Sequence, residues 1–273
     1  MKTLVVAHPD DPLAYFIATG FCRSLISLGH RSDIKPWYET GYDLCLVMYA
    51  HVFYNFPKDN TIKIAYNWET LRIEKWRRLI HRALGQFNYI LEGSKDNLNI
   101  HLPIQRLWCP IGYDTSFELT PVSGEKYQAA LIGYAPKGSY RRQIINSVER
   151  KGFRVWYVED FNKSVHDEGL SRILHNTAVH LNIHRTPKFT MFESVRVVGM
   201  LLSNRAFVIS EPSSDGFLVS GKHYVETDNF PRSVKYYLAH SEKRSRIAQE
   251  GYDYVRTNCR LEDYISACLE KIK

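Results

Sequence analysis

The chain has 273 residues, of which 44% are hydrophobic and 13% aromatic, with a net charge of +7. That is enough apolar material for a packed core, and it argues against disorder. No apolar run reaches the ~18 residues of a membrane span, and the run at residues 4–7 is too short for a signal peptide, so a cytoplasmic protein is expected.

Five cysteines (Cys22, Cys45, Cys109, Cys259 and Cys268) lie far apart without a C-x-x-C pair. Their spacing speaks for buried thiols rather than a disulfide framework or a zinc knuckle. Residues 1–120 carry a net charge of +1 and residues 121–273 a net of +6. A positive field in the second half suits an anionic ligand such as a nucleoside diphosphate. No long Lys/Arg tract demands nucleic acid.

Short apolar runs alternate with helical patterns along the chain. A strand is predicted at residues 3–8. Residues 12–28 follow with apolar side chains at helical spacing, and Gly29 supplies a stop. Strands are predicted at 43–50, 61–66 and 88–91, with a helix at 76–84 and a further strand ending near 108. Residues 109–123 hold Pro110, Gly112, Asp114 and Pro121 and read as a linker. The pattern then restarts. Strands are predicted at 127–132, 153–158, 178–183, 205–210 and 222–226. Helices are predicted at 140–151, 170–176, 190–203, 232–238, 242–257 and 261–272.

This is β-α-β logic twice over, so the fold class is α/β with two doubly wound, Rossmann-like domains facing across a cleft. The domains are taken as residues 1–118 and 119–273, with the last helix able to pack back on the first. Ligands in such sheets bind beyond the carboxyl ends of the strands.

The block at residues 181–226 carries the strongest chemical signal. Glu193 is expected early in the helix that follows the basic loop His184, Arg185 and Lys188. A carboxylate there can accept hydrogen bonds from both ribose hydroxyls, and a helix N-terminus favours anions nearby. Lys137, Arg141 and Arg142 form a second basic loop after Gly133, aimed at the same cleft. Such cations can stabilise a departing diphosphate.

The run from Phe192 and Glu193 through Gly199 to the strand ending at Ser210 resembles the donor half of GT-B glycosyltransferases. The spore-maturation (CgeB-like) type is the closer resemblance. It adds the loop Asp215-Gly216-Phe217, the IAQEGY helix at 247–252, the IAYNWE stretch at 64–69, CPIGYDTSF at 109–117 and LIGYAPKGSYRR at 131–142. The resemblance implies a nucleoside diphosphate sugar as donor, UDP- or GDP-linked, held in residues 119–273. It implies no cofactor and no essential metal. Gly133, Lys137, Arg141, His184, Arg185, Lys188, Phe192, Glu193, Gly216 and Phe217 are the donor-site candidates. The acceptor would be a glycan, a small molecule or DNA. Large retaining families carry two glutamates eight apart, whereas Arg185 stands eight before Glu193. Only the ribose role is therefore carried over to Glu193.

A base for an inverting reaction is expected from the first half, with Asp10 and Glu69 preferred over His8, Asp11 and His51. Three alternatives stand beside this reading. One is the same donor site with a DNA base as acceptor, to which phosphate contacts and stacking would contribute. Another is a GT-B shell that binds nucleotide without turnover. The third is zinc-dependent N-deacetylation, because LVVAHPDD at 4–11 resembles the opening of the PIG-L-type enzymes. Pro12, however, stands where those enzymes carry Glu, and no H-x-x-H pair follows.

Overall fold

The computed structural model describes residues 1–52, 56–159, 167–214 and 216–272. Asp215, named in the Gly-Phe loop, lies outside the described residues. The chain divides into two compact units. Unit 1 comprises Met1–Phe117 and Cys259–Lys273, and unit 2 comprises Glu118–Asn258.

Unit 1 is built on six strands: β1 Lys2–Val6, β2 Arg31–Lys35, β3 Leu44–Val47, β4 Ile62–Asn67, β5 Tyr89–Glu92 and β6 Gln105–Trp108. They pair in the order β2-β1-β3-β4-β5-β6, every pair parallel. The central strands are buried and mostly apolar, because helices cover both faces of a parallel sheet, with Lys63, Asn67 and Glu92 as the buried exceptions on β4 and β5. Strand β2, with the sequence RSDIK, is half-exposed at the sheet edge and has no apolar run to announce it.

Helix α1 (Pro12–Ser27) begins where Asp11 accepts a hydrogen bond from the Ala14 amide at 2.9 Å and Pro12 occupies the first turn. It ends at Gly29, whose φ of +83° lies in the left-handed region. Helix α2 covers Glu74–Ala83 and the short α3 covers Lys95–Leu98.

The chain returns to unit 1 at its end. The Tyr113 amide donates to Cys259 O at 2.7 Å and the Leu261 amide donates to Tyr113 O at 2.9 Å. Helix α8 (Leu261–Leu269) then packs on α1 and β6. Gly112 makes the close approach possible, since a Cβ there would fall on the Cys259 carbonyl oxygen.

Unit 2 contains β7 Tyr127–Tyr134, β8 Val155–Val158, β9 Thr177–Asn182, β10 Val208–Ser210 and β11 Val225–Glu226, all parallel, in the order β11-β10-β9-β7-β8. Its helices are α4 Tyr140–Glu149, α5 Asp167–His175, α6 Phe230–Ala239 and α7 Ser241–Asn258. Leu131, Leu181, Ile209, Ile145, Val234 and Ile247 join the sheet to these helices in one core.

The helix predicted over 190–203 is shorter and differently wound. A π-helical stretch runs Val195–Leu201 and tightens into a 3-10 turn at Leu202–Asn204. The segment before it cannot wind, because Thr190 O is taken by the Ser214 amide at 2.8 Å and its hydroxyl at 3.1 Å. Glu193 therefore precedes the helix instead of lying within it, and its carbonyl accepts from the Val197 amide at 2.9 Å.

All five cysteines are buried free thiols. Among the described residues, no helix is long and apolar enough to cross a membrane.

Gly112→Ala forces its Cβ into backbone, so it should destabilise the protein by about 1–3 kcal/mol in urea unfolding, a usual cost of overpacking. His180 is buried on β9 with its ring Nε2 3.1 Å from Leu174 O, and burial pushes its pKa down to about 4. The fold thus holds the neutral ring. Its stability contribution is complete above the unfolded pKa of about 6.5 and is lost as pH falls towards 4, because the unfolded chain binds the extra proton there. Unfolding free energy should drop by up to about 3 kcal/mol across that window, and His180→Gln should flatten the profile.

Candidate donor site

In unit 2, β7 leads through α4 to β8 on one side, and the chain then crosses to β9 on the other. The connections diverge between β7 and β9, which opens a crevice at the carboxyl ends of these two strands. Arg141, from the first turn of α4, spans it. Its Nε donates to Ile183 O, just past β9, at 2.8 Å, and its Nη1 donates to Tyr134 O, at the end of β7, at 3.4 Å. Ser139 starts α4 by accepting from the Arg142 amide, which sets Arg141 on the inner face.

A buried guanidinium needs a counter-charge. Glu193 supplies it, with Oε1 at 3.0 Å from Arg141 Nη2. The other oxygen, Oε2, accepts from Arg196 Nη1 at 2.5 Å, and the same nitrogen donates to Asn182 Oδ1 at 2.9 Å. One carboxylate thus holds two guanidiniums. Burial, then the Arg196 charge, lowers the Arg141 pKa to about 10, with Glu193 opposing both. Arg141 stays a cation at any physiological pH.

Gly133 lies beneath the pair. A Cβ there would come 3.2 Å from Arg196 Nη2 and 3.5 Å from Arg141 Nη1.

A second carboxylate closes the next strand end. Glu211 follows β10 and accepts from the His184 amide at 2.6 Å and from the Tyr140 hydroxyl. Burial, and then the bond to Glu211, push the Tyr140 pKa up to about 12, so the phenol keeps its proton. The ring of His184 points at Pro212 O, 3.0 Å away. Phe192 and Phe217 meet edge to face at 5.0 Å, with Gly216 against the Phe192 ring.

The structure therefore gathers Gly133, Arg141, His184 and Glu193 around one crevice and joins Phe192, Gly216 and Phe217 in an adjacent loop pair. Lys137, Arg185 and Lys188 are exposed and form no ion pair among the described residues. Arg142 stands apart, stacked 4.3 Å over Tyr157 and 3.5 Å from Glu159. Sequence reasoning missed Arg196, Asn182 and Glu211. Arg196, three residues after Glu193, was the readable signal, since that spacing sets two side chains together on a helical turn.

Unit 1 has the same divergence between β1 and β3. There Asp11, after β1, accepts from the Tyr49 hydroxyl, after β3, as well as capping α1. Asp10 is turned outward, its side chain 88% exposed and 3.5 Å from His8 Nδ1. Glu69 is half-buried in the loop after β4. Its amide donates to Asn67 Oδ1 at 3.0 Å, and its carbonyl accepts from the side-chain amides of Asn67 and Asn97. His51 packs against Tyr49 and Trp76. Burial, then the Lys75 charge, lowers its pKa.

The zinc-deacetylase reading finds no support here. Asp11 is committed to a helix cap, the His180 and His184 rings face backbone carbonyls, and no group of three His, Cys, Asp or Glu residues could hold a metal ion among the described residues.

Residues 136–269 match the model of a family described as "Glycosyl transferase-like". No curated protein sequence matches the chain. Among solved structures, AviGT4, a glycosyltransferase involved in avilamycin A biosynthesis, superposes with a TM-score of 0.59 at 13% identity, covering 97% of this chain and 96% of that one. The Anabaena protein Alr3699/HepE, in complex with UDP and glucose, gives a TM-score of 0.64 at 10% identity over 100% and 99% of the two chains. An α-glucosyltransferase in complex with UDP and a 13-mer DNA containing a HMU base gives 0.59 at 8% identity over 98% of each. These likenesses establish the GT-B fold. The family match adds that residues 136–269, just under half of the chain, are similar to glycosyl transferase-like proteins.

The shared carboxylate makes a stability prediction. Glu193→Ala leaves Arg141 buried without its counter-charge and should cost roughly 3 kcal/mol in urea unfolding. Pairing it with Arg141→Met should recover part of that loss. Strictly additive effects in the double-mutant cycle would show that the ion pair does not couple the two residues.

Proposed function

We propose that the enzyme moves a sugar from a nucleoside diphosphate sugar, UDP- or GDP-linked, to an acceptor hydroxyl, without a metal ion. The observation that carries this reading is the pair of guanidiniums held by Glu193 at the strand divergence of unit 2, with a glycine beneath them. Fixed positive charge at a partly buried strand end is what a departing diphosphate needs, and it needs no reorganisation when charge develops.

In this reading Arg185, Lys188 and Lys137 surround the diphosphate, and Gly216 and Phe217 offer backbone amides. Each Glu193 oxygen keeps a second lone pair beyond its arginine, so the carboxylate can still accept from the ribose hydroxyls. Asp10 and Glu69 are the proposed candidates for the general base of an inverting reaction. Kinship with the spore-maturation type rests on the sequence stretches around Glu193 and Gly216. Five buried free thiols suit the reducing cytoplasm. The acceptor is proposed to be a glycan or a small molecule. A DNA acceptor is not favoured, because the likeness to the DNA-bound enzyme is one of fold and no greater than that to the Anabaena protein.

Calorimetric titration of UDP, GDP and ADP should reveal one preferred binder, and donor turnover should persist in excess EDTA. If none of the three nucleotides binds, the donor-site assignment is wrong. Activity lost to EDTA and restored by a divalent cation would refute the metal-independent mechanism.

A further inference from the structure

Unit 2 holds a cavity of about 610 Å³ at the end of its sheet away from the donor crevice. Thr177 and Ala178 open β9 there, and Ala206 and Phe207 lead into β10, so the length of β9 lies between the two. The segment from Glu118 to Pro121, the end of α5 and the first turns of α7 supply the other walls. The volume is that of a small-molecule site.

Two arginines line it, and neither forms an ion pair among the described residues. Arg244 is half-buried on α7. Its Nη1 donates to the carbonyls of Tyr237 and Leu238 at the end of α6, the latter at 3.1 Å. Its Nε and Nη2 make no hydrogen bond among the described residues. Burial lowers its pKa, and no carboxylate works against that shift. Arg141, in the same unit, is buried against Glu193, whereas Arg244 is removed from water without a counter-charge, which favours an anion beside it. Arg205 closes the 3-10 turn in the left-handed region, at φ +56°, where glycine is the usual residue. Its guanidinium lies 3.9 Å over the Tyr252 ring. Stacking uses the face of a guanidinium and leaves the donors on its edge for an acceptor.

Arg244, Ala248 and Tyr252 recur at every fourth residue and so share one face of α7. The Tyr252 hydroxyl donates at 2.6 Å to Glu118, the one carboxylate lining the cavity among the described residues. The small side chain of Ala248 leaves room on this face, and Phe207 adds an apolar wall. His175 Nδ1 lies 2.9 Å from Ser171 O, a contact that only an N–H satisfies, so Nε2 of the neutral ring is an acceptor.

We propose that this cavity binds a small organic phosphate, its phosphoryl group held by the guanidiniums of Arg244 and Arg205 and its body against Ala248 and Phe207. A carboxylate is saturated by one guanidinium fork, whereas a phosphate monoester brings a third oxygen and close to two charges for two cations. The site does not depend on the donor reading. The rival account makes Arg244 a cap of α6 and Arg205 a surface cation, with only water between them.

Phenyl phosphate, glycerol phosphate, benzoate and phenol are to be titrated by calorimetry into the full chain and its variants, with UDP as a report on the donor crevice. The parent should bind phenyl phosphate more tightly than benzoate or phenol. Arg244→Gln and Arg205→Gln should each weaken that binding by about tenfold or more, the weight of charge-assisted hydrogen bonds. Ser245→Trp, at an exposed position of the wall, should abolish it by filling the cavity. UDP, where it binds, should be unaffected in all three variants.

A parent that binds neither phosphate ester refutes the proposal, as does parental affinity in Ser245→Trp. Benzoate binding as tightly as phenyl phosphate would overturn the phosphoryl class, and phenol binding as tightly would overturn any role for the arginines. Equal losses for UDP and phenyl phosphate would favour the rival. Should Arg244→Gln fail to fold, Arg205→Gln and Ser245→Trp decide the matter.

Discussion

The second sheet depends on a charge placed where the fold leaves a gap. Arg141 ties the end of β7 to the segment beyond β9 at the point where the helical connections part to opposite sides. Burying a lone guanidinium would cost several kcal/mol, so the position is tenable only with a carboxylate in contact. Glu193 meets that need, and because it has two oxygens it also recruits Arg196. The glycine at 133 follows from the same crowding, since a side chain there would press on both guanidiniums. The features that give this crevice its chemistry thus trace back to one buried cation.

The first sheet meets the same geometric situation with neutral and acidic groups. Asp11 and Tyr49 close the divergence between β1 and β3, and Asp11 also starts α1. Two strands further, at the end of β5, the fully buried Glu92 accepts from the side-chain amides of Asn67 and Asn97 at 2.8 and 2.9 Å, with Arg106 at 3.4 Å. Burial raises the Glu92 pKa, while the amides and Arg106 pull it back. Asn67 and Asn97 also grip the Glu69 carbonyl, so the loop after β4 is fixed from beneath by a polar knot inside the unit.

The parts of this fold that were legible in the sequence are those whose signal is local and apolar. Buried central strands such as β4 and β9 announce themselves as short hydrophobic runs, and α1 by its Asp-Pro start and glycine stop. Strand β2 was invisible because an edge strand whose residues all stay partly exposed needs no apolar run. The unwound segment before Glu193 was equally hidden, since Thr190 O is claimed by Ser214, twenty-four residues away. For the site, the types of residue were readable but their partners were not. Glu193 was expected to face ligand alone, whereas the fold brings Arg141 to it from fifty-two residues away. Glu211 was passed over because an isolated charge after a strand looks like ordinary surface until the sheet order is known, whereas the spacing of Arg196 from Glu193 was readable.

The charge excess of the second half divides into two kinds that act differently. Arg141 is buried, Arg196 is partly buried, and the two share one carboxylate, so together they present a single net positive charge with fixed direction. Arg185, Lys188 and Lys137 are exposed, and their field is screened within about 8 Å at physiological ionic strength. Exposed cations raise the local concentration of an anion and speed its arrival, but their mobile side chains do little to orient it. Orientation must come from donors whose positions are set before the ligand binds. Charge counting along the sequence registers both kinds alike. Only the packed structure separates cations on mobile side chains from cations held in place, and in this chain the second kind is the pair bound to Glu193.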